Sequence, residues 1–169
     1  MGVIWTVLLA LMTLSRQANV KPPGDDFDLN SERLGETLTS FQSLHPKARC
    51  INSSKTRRDC YQWEDVSIFG LTAHPGSACS SEKHGSADCA EGLTAEFADD
   101  HLVLLVYAVG GSDKKDAVAE LKKKYGTPAI DTSEATIWMG ARARTLSVVV
   151  GRATDGSEGK SLITFMIQG

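Results

Sequence analysis

The sequence lacks the features that mark three large classes of protein. Its longest apolar run has about a dozen residues, whereas a transmembrane helix needs about 20. Basic residues are not in excess, since 18 Lys and Arg stand against 21 Asp and Glu, which argues against a nucleic-acid partner. No G-x-S-x-G or H-E-x-x-H motif occurs. We therefore expect a non-catalytic protein that does not bind nucleic acid.

The N-terminal residues indicate export. The run "VIWTVLLALMTL" has the length of the apolar region of a secretory signal. We expect residues 1–18 to be a signal peptide or an uncleaved N-terminal anchor, and the Pro/Gly/acidic residues 19–26 to be a linker. Residues 27–169 then form a single domain, which we expect to be secreted or periplasmic. Any membrane association would depend on an uncleaved N-terminus.

Four cysteines, an even number, fit an oxidising compartment in which thiols pair. Three connectivities are open to Cys50, Cys60, Cys79 and Cys89. Pairing of Cys50 with Cys60 and of Cys79 with Cys89 is favoured, because each bond closes a loop of about eleven residues and adds about 2.5–3 kcal/mol. We expect these two disulfides.

A zinc site is the alternative for the second pair. In "HPGSACSSEKHGSADC", residues 74–89, two histidines and two cysteines alternate with four residues between neighbours, and both are zinc-ligand types. The alternating order does not form two rigid knuckles, and a zinc site would leave Cys50 and Cys60 unexplained. We expect no metal and no cofactor, with a zinc-binding protein as the alternative.

Apolar periodicity predicts two short helices. The first spans about residues 36–44 and stops before Pro46; the second begins at a cap at Ser112 or Asp113 and ends at Gly126. Alternating or continuous apolar runs predict six strands, at 65–71, 92–97, 102–109, 135–139, 145–150 and 161–167.

The order of these elements predicts an α+β fold, an antiparallel sheet with both helices packed on one face. The strands at 102–109 and 161–167 are apolar on both faces and should be central, and the residues between 97 and 102 should form a hairpin turn. The two halves are faintly alike, which makes an internal duplication of a helix-plus-meander unit a hypothesis.

Two polar clusters are candidate sites. Lys55, Arg57 and Arg58 in "KTRRD" are a candidate anion-binding loop, and a solvated hairpin tip is the alternative. The run 99–101, Asp-Asp-His, contains catalytic residue types, but these residues also favour turns.

Tryptophan offers two further candidates, since Trp63 and Trp138 either line a groove or fill the core. The position of each Trp near a predicted strand end favours the core.

The layout resembles small exported bacterial proteins. The segments "LGETLTSFQSLHP" and "AVAELKKKYGTP", each followed by antiparallel strands, are similar to the SmpA/OmlA outer-membrane lipoprotein type and to the β-lactamase-inhibitor-like fold group. The "KYG-x-P" helix end is also similar to cysteine-bearing exported bacterial proteins of unknown function. The chain differs from the lipoproteins because no Cys follows its apolar run and four cysteines lie further along.

The resemblance implies a non-catalytic binding or assembly role and assigns no functional residue. We therefore expect a secreted or periplasmic domain that binds a protein or another cell-envelope component through its sheet face or its loops. A small envelope hydrolase, using Asp100 and His101 or a site at His84, is a second hypothesis, and the zinc-binding protein is a third.

Overall fold

The computed structural model describes residues 27–73, 92–111, 113–152 and 161–169. The largest unit in this part of the chain is an eight-stranded antiparallel sheet that carries two helices, which confirms the predicted α+β class. The signal-like segment, the linker and the 74–89 segment lie outside the described residues.

Twelve strands and two α-helices are present in the described part of the chain, together with a short 3-10 helix at Ala141–Ala143. In chain order they are β1 (Asp28–Leu29), β2 (Glu32–Arg33), α1 (Leu38–Leu44), β3 (Arg49–Asn52), β4 (Arg57–Gln62), β5 (Ser67–Ile68), β6 (Leu71–Thr72), β7 (Gly92–Ala98), β8 (His101–Gly110), α2 (Lys115–Tyr125), β9 (Ile130–Asp131), β10 (Ala135–Met139), β11 (Thr145–Arg152) and β12 (Ser161–Gln168).

The large sheet has the order β3-β4-β7-β8-β12-β11-β10-β9, so the predicted central strands β8 and β12 are confirmed. Asp99 and Asp100, both at positive φ, form the turn between β7 and β8, which confirms the predicted hairpin. In the first half of the chain, α1 precedes the strands β3, β4, β7 and β8; in the second half, α2 precedes β9 to β12. Each set of four strands runs in chain order from an edge of the sheet to its centre. This topology matches the repeated helix-plus-meander unit.

Local capping determines where the helices begin and end. The α1 helix starts at Leu38 because the Thr37 hydroxyl accepts a hydrogen bond from the Ser40 amide. At α2 the Asp113 carboxylate accepts one from the Lys115 amide, and Gly126 ends the helix at φ 78°, a conformation that glycine adopts readily.

Both helices pack on the same face of the sheet. The Phe41 ring of α1 lies 5.3 Å from the Phe97 ring of β7, and the Trp138 indole N–H of β10 donates to the Gly126 carbonyl at the end of α2 (2.9 Å). Strand register places the largest buried side chains of the sheet on this face; they include Leu93, Leu105, Tyr107, Leu146, Phe165 and Trp138.

A buried polar cluster joins the β1–β2 hairpin to the central strand. The Glu32 side chain is 2% exposed, and its Oε1 contacts His45 Nε2 at 2.5 Å and accepts a hydrogen bond from the Tyr107 hydroxyl at 3.0 Å. Burial, and then the nearby Glu32 carboxylate, raises the pKa of Tyr107 well above its usual range. Glu32 therefore ties three elements together through one oxygen.

Two parts of the strand prediction were wrong. Residues 65–71 do not form one strand, because Phe69 (φ 50°) and Gly70 (φ 74°) reverse the chain and create the separate β5–β6 hairpin. The prediction also lacked the strands β3 and β4. They form a hairpin at the sheet edge with Lys55 in its turn, as the hairpin-tip alternative expected. Here strand pairing outweighs the turn propensity of the residues.

Candidate binding face

The Cys50–Cys60 disulfide is confirmed. The two residues are direct partners across the β3–β4 pair, and Cys60 is fully buried. The bond fastens a four-residue edge strand to its neighbour and indicates an oxidising compartment. Cys79 and Cys89, and with them the zinc alternative, lie outside the described residues.

The candidate anion-binding residues lie at the tip of the same hairpin but do not converge. Arg57 and Arg58 are consecutive in β4, so their side chains point to opposite faces of the sheet. Arg58 Nη1 lies 3.6 Å from Asp100 Oδ1 in the neighbouring β7–β8 turn, while Lys55 is exposed in the β3–β4 turn. Anion binding by Lys55, Arg57 and Arg58 stays a prediction that this geometry does not strengthen.

The Asp99–Asp100–His101 segment is arranged as a turn. The His101 Nδ1 atom lies 2.8 Å from the carbonyl oxygen of Asp99, and the Asp100 carboxylate faces Arg58. The side chains of Asp99, Asp100 and His101 are all exposed. No described contact pairs the His101 ring with a carboxylate or a nucleophilic hydroxyl, as a hydrolase site would need.

The two tryptophans have different environments. Trp138 is buried in the core, as predicted. Trp63 is half-buried, stacks on Tyr61 with ring centroids 6.0 Å apart, and lines a cleft of about 460 Å³ at the end of β4. Trp63 therefore belongs to a groove.

The face of the large sheet opposite the helices is the most extensive candidate surface; we call it the open face. Side chains alternate between the two faces along a strand, so the residues between the buried positions point to the open face. Cross-strand pairing places the following residues on it: Arg49, Asp59, Thr94, Glu96, Leu104, Val106, Met166, Ser147, Val149, Ile137, Met139 and Ile130. Of these, Ser147 alone is buried, with 4% exposure.

The open face differs between its two halves. In the C-terminal half, Met139, Ile130 and Val149 are 60%, 47% and 36% exposed, and Ile137 pairs directly with Ile130 across β9 and β10. In the N-terminal half the strands instead present charged side chains, among them Glu96. Contiguous exposed apolar side chains are typical of interaction surfaces.

Fold and site define an α+β protein with an antiparallel sheet that, among the described residues, is covered by helices on one side and open on the other. Comparisons with protein-family models, with curated proteins and with solved structures found no match. Within the described residues, neither helix has the length and apolarity needed to cross a membrane.

Sequence reasoning named the sheet face and the loops as binding surfaces but did not identify the residues of the open face. The signal was present, because strands predicted from alternating apolar residues also carry Ile137, Met139 and Val149 at positions that a one-sided sheet would fill with polar residues. The sequence does not show on which side the helices pack, so these residues were indistinguishable from core residues.

Proposed function

We propose that the protein is a secreted or periplasmic, non-catalytic assembly domain that acts at the cell envelope and pairs with a second copy through the open face. The exposed apolar half of that face carries the proposal. The disulfide and the signal-like N-terminus support the compartment.

The size of the face suits a protein partner. Six of its strands have five to ten residues each. With strands about 4.8 Å apart and about 3.4 Å per residue, they cover on the order of 700 Å². A stable complex buries about 800 Å² per partner, so two open faces approach the area needed when their contact extends from the apolar half onto the charged half.

The composition of the face favours a copy of itself. Around Val149, the neighbouring side chains on β10 and β12 are those of Ala135 and Thr164, which are uncharged. Such a surface needs an uncharged, flat and apolar counterpart, since a charged one would lose its hydration without gaining an ion pair. A second open face supplies this counterpart, and homodimer interfaces are commonly more apolar than other interfaces.

Sedimentation velocity of the purified chain tests the proposal. We expect a dimer at micromolar concentration, and a monomer for both Val149→Lys and Met139→Lys, because each substitution places a charge in the interface. Leu44→Lys is the matched control, since Leu44 is 52% exposed on α1, away from the open face. A monomeric wild type, or dimers that resist both open-face substitutions, would overturn the proposal.

A further inference from the structure

A buried lysine lies at the start of α2, on the helix side of the sheet. Lys114 is 8% exposed, and its ammonium group donates to the Thr132 carbonyl (3.0 Å) and to the Thr136 hydroxyl (2.9 Å). Both acceptors are uncharged. Burying an ammonium group is costly unless an opposite charge is close to it.

The carboxylate of Asp131 belongs to the same hydrogen-bond network, but both of its oxygens already have partners. Asp131 Oδ2 lies 2.5 Å from Lys122 Nζ, and Asp131 Oδ1 accepts from the Thr136 hydroxyl at 3.1 Å. Among the described residues, no carboxylate oxygen lies within 4 Å of Lys114 Nζ. Two ammonium groups, those of Lys114 and Lys122, thus share one carboxylate.

These groups line an open cleft of about 440 Å³ between α2 and the β9–β10 turn. At its rim Lys115 and Asp113 pair with each other at 3.5 Å, so their charges offset. The cleft therefore carries one surplus positive charge. Val118 and Ala119 supply an apolar wall beside the charged groups.

We propose that this cleft is a binding site for a small oxyanion, a carboxylate or a phosphate, whose charge is paired by Lys114. An ammonium group has three N–H donors, and two of those on Lys114 have acceptors among the described residues. The third donates to the bound oxyanion. The apolar wall favours an oxyanion that carries a short hydrocarbon chain.

The electrostatics of the cleft agree with this assignment. Burial lowers the pKa of Lys114, Asp131 opposes that effect, and Lys122 adds to it. Lys115 and Asp113 are the other charged groups that line the cleft. A bound oxyanion stabilises the ammonium form of Lys114, so binding draws in protons and weakens as the pH rises through the pKa of Lys114.

Titration of the full chain with butyrate and with inorganic phosphate, followed by amide NMR shifts, tests the proposal. Butyramide is the uncharged control ligand. We expect shifts in residues 113–119 and 131–136 with at least one oxyanion and none with butyramide. Lys114→Met should weaken that binding about tenfold or more, the usual effect of losing a charge-assisted hydrogen bond. Lys123→Met is the matched control, because it removes the same charge at an exposed position of α2. It should change the binding by less than about twofold.

The two oxyanions also distinguish possible ligands. Binding of butyrate but not of phosphate would indicate an organic acid, and the reverse would indicate a phosphorylated ligand. No shift with either probe at about 50 mM, a concentration roughly 50 times a dissociation constant of 1 mM, would overturn the proposal. So would equal weakening by Lys114→Met and Lys123→Met.

A second measurement covers the case in which Lys114→Met does not fold. Acetylation of each lysine in the wild-type chain is followed by mass spectrometry with and without butyrate, and with and without inorganic phosphate. We expect the oxyanion to slow acetylation of Lys114 selectively relative to Lys123. Equal rates at Lys114 with and without ligand would contradict the assignment.

Discussion

Removal of the Cys50–Cys60 disulfide should destabilise the protein by an amount that the structure sets. The bond closes a loop of eleven residues, with a sequence separation of 10. The chain-entropy relation for a loop of this length yields about 2.8 kcal/mol at 25 °C. The Cys60 sulfur is also fully buried, so replacement by Ala leaves a small cavity worth about 1 kcal/mol. The double variant Cys50→Ala/Cys60→Ala should therefore lose about 3–4 kcal/mol.

Urea denaturation under non-reducing conditions measures this loss. We expect a large loss because β3 is a short edge strand with a neighbouring strand on one side only. In the presence of a reductant, the difference between the wild type and the double variant should shrink to the packing contribution of about 1 kcal/mol. A loss below about 1 kcal/mol without reductant would refute the view that the disulfide fastens the sheet edge.

Three further predictions concern the core. Glu32→Ala should lower the free energy of unfolding by about 3 kcal/mol, because His45 and the Tyr107 hydroxyl lose their shared acceptor. Glu32→Gln should lower it less. Equal losses for the two variants in thermal or urea unfolding would contradict this prediction. Since the pKa of Tyr107 is raised, the unfolded chain loses that proton near pH 10 while the native chain keeps it. Stability should therefore fall by up to about 1.4 kcal/mol per pH unit above 10, and Tyr107→Phe should remove this part of the fall. Gly92→Ala should lower the free energy of unfolding by about 1–3 kcal/mol, because Gly92 has φ +144° and a Cβ there would lie 2.6 Å from the Gln62 carbonyl oxygen. An unchanged midpoint of urea unfolding would argue against this backbone geometry.

Features encoded by neighbouring residues could be predicted from the sequence. The α2 helix depends on Asp113 at its start and Gly126 at its end, and both signals are local. Strands β8 and β12 carry apolar residues on both faces, and this pattern predicted their central positions.

Features that depend on distant partners could not be predicted. The β3–β4 hairpin has polar residues that favour turns, and its strand structure follows from pairing with β7. Lys114 resembles the other lysines of α2 in the sequence, and its burial depends on Thr136, 22 residues further along. Glu32 becomes a core residue through Tyr107, 75 residues away.

The pairing of two open faces, the central claim, is tested most directly by oxidation of Met139. This side chain is 60% exposed in the single chain and would be covered in the pair. Peroxide oxidation of Met139, followed by mass spectrometry, should become several-fold slower as the protein concentration rises from submicromolar to about 100 μM, a range that spans the dissociation constants of typical protein complexes. An oxidation rate that does not change over this range would contradict the account.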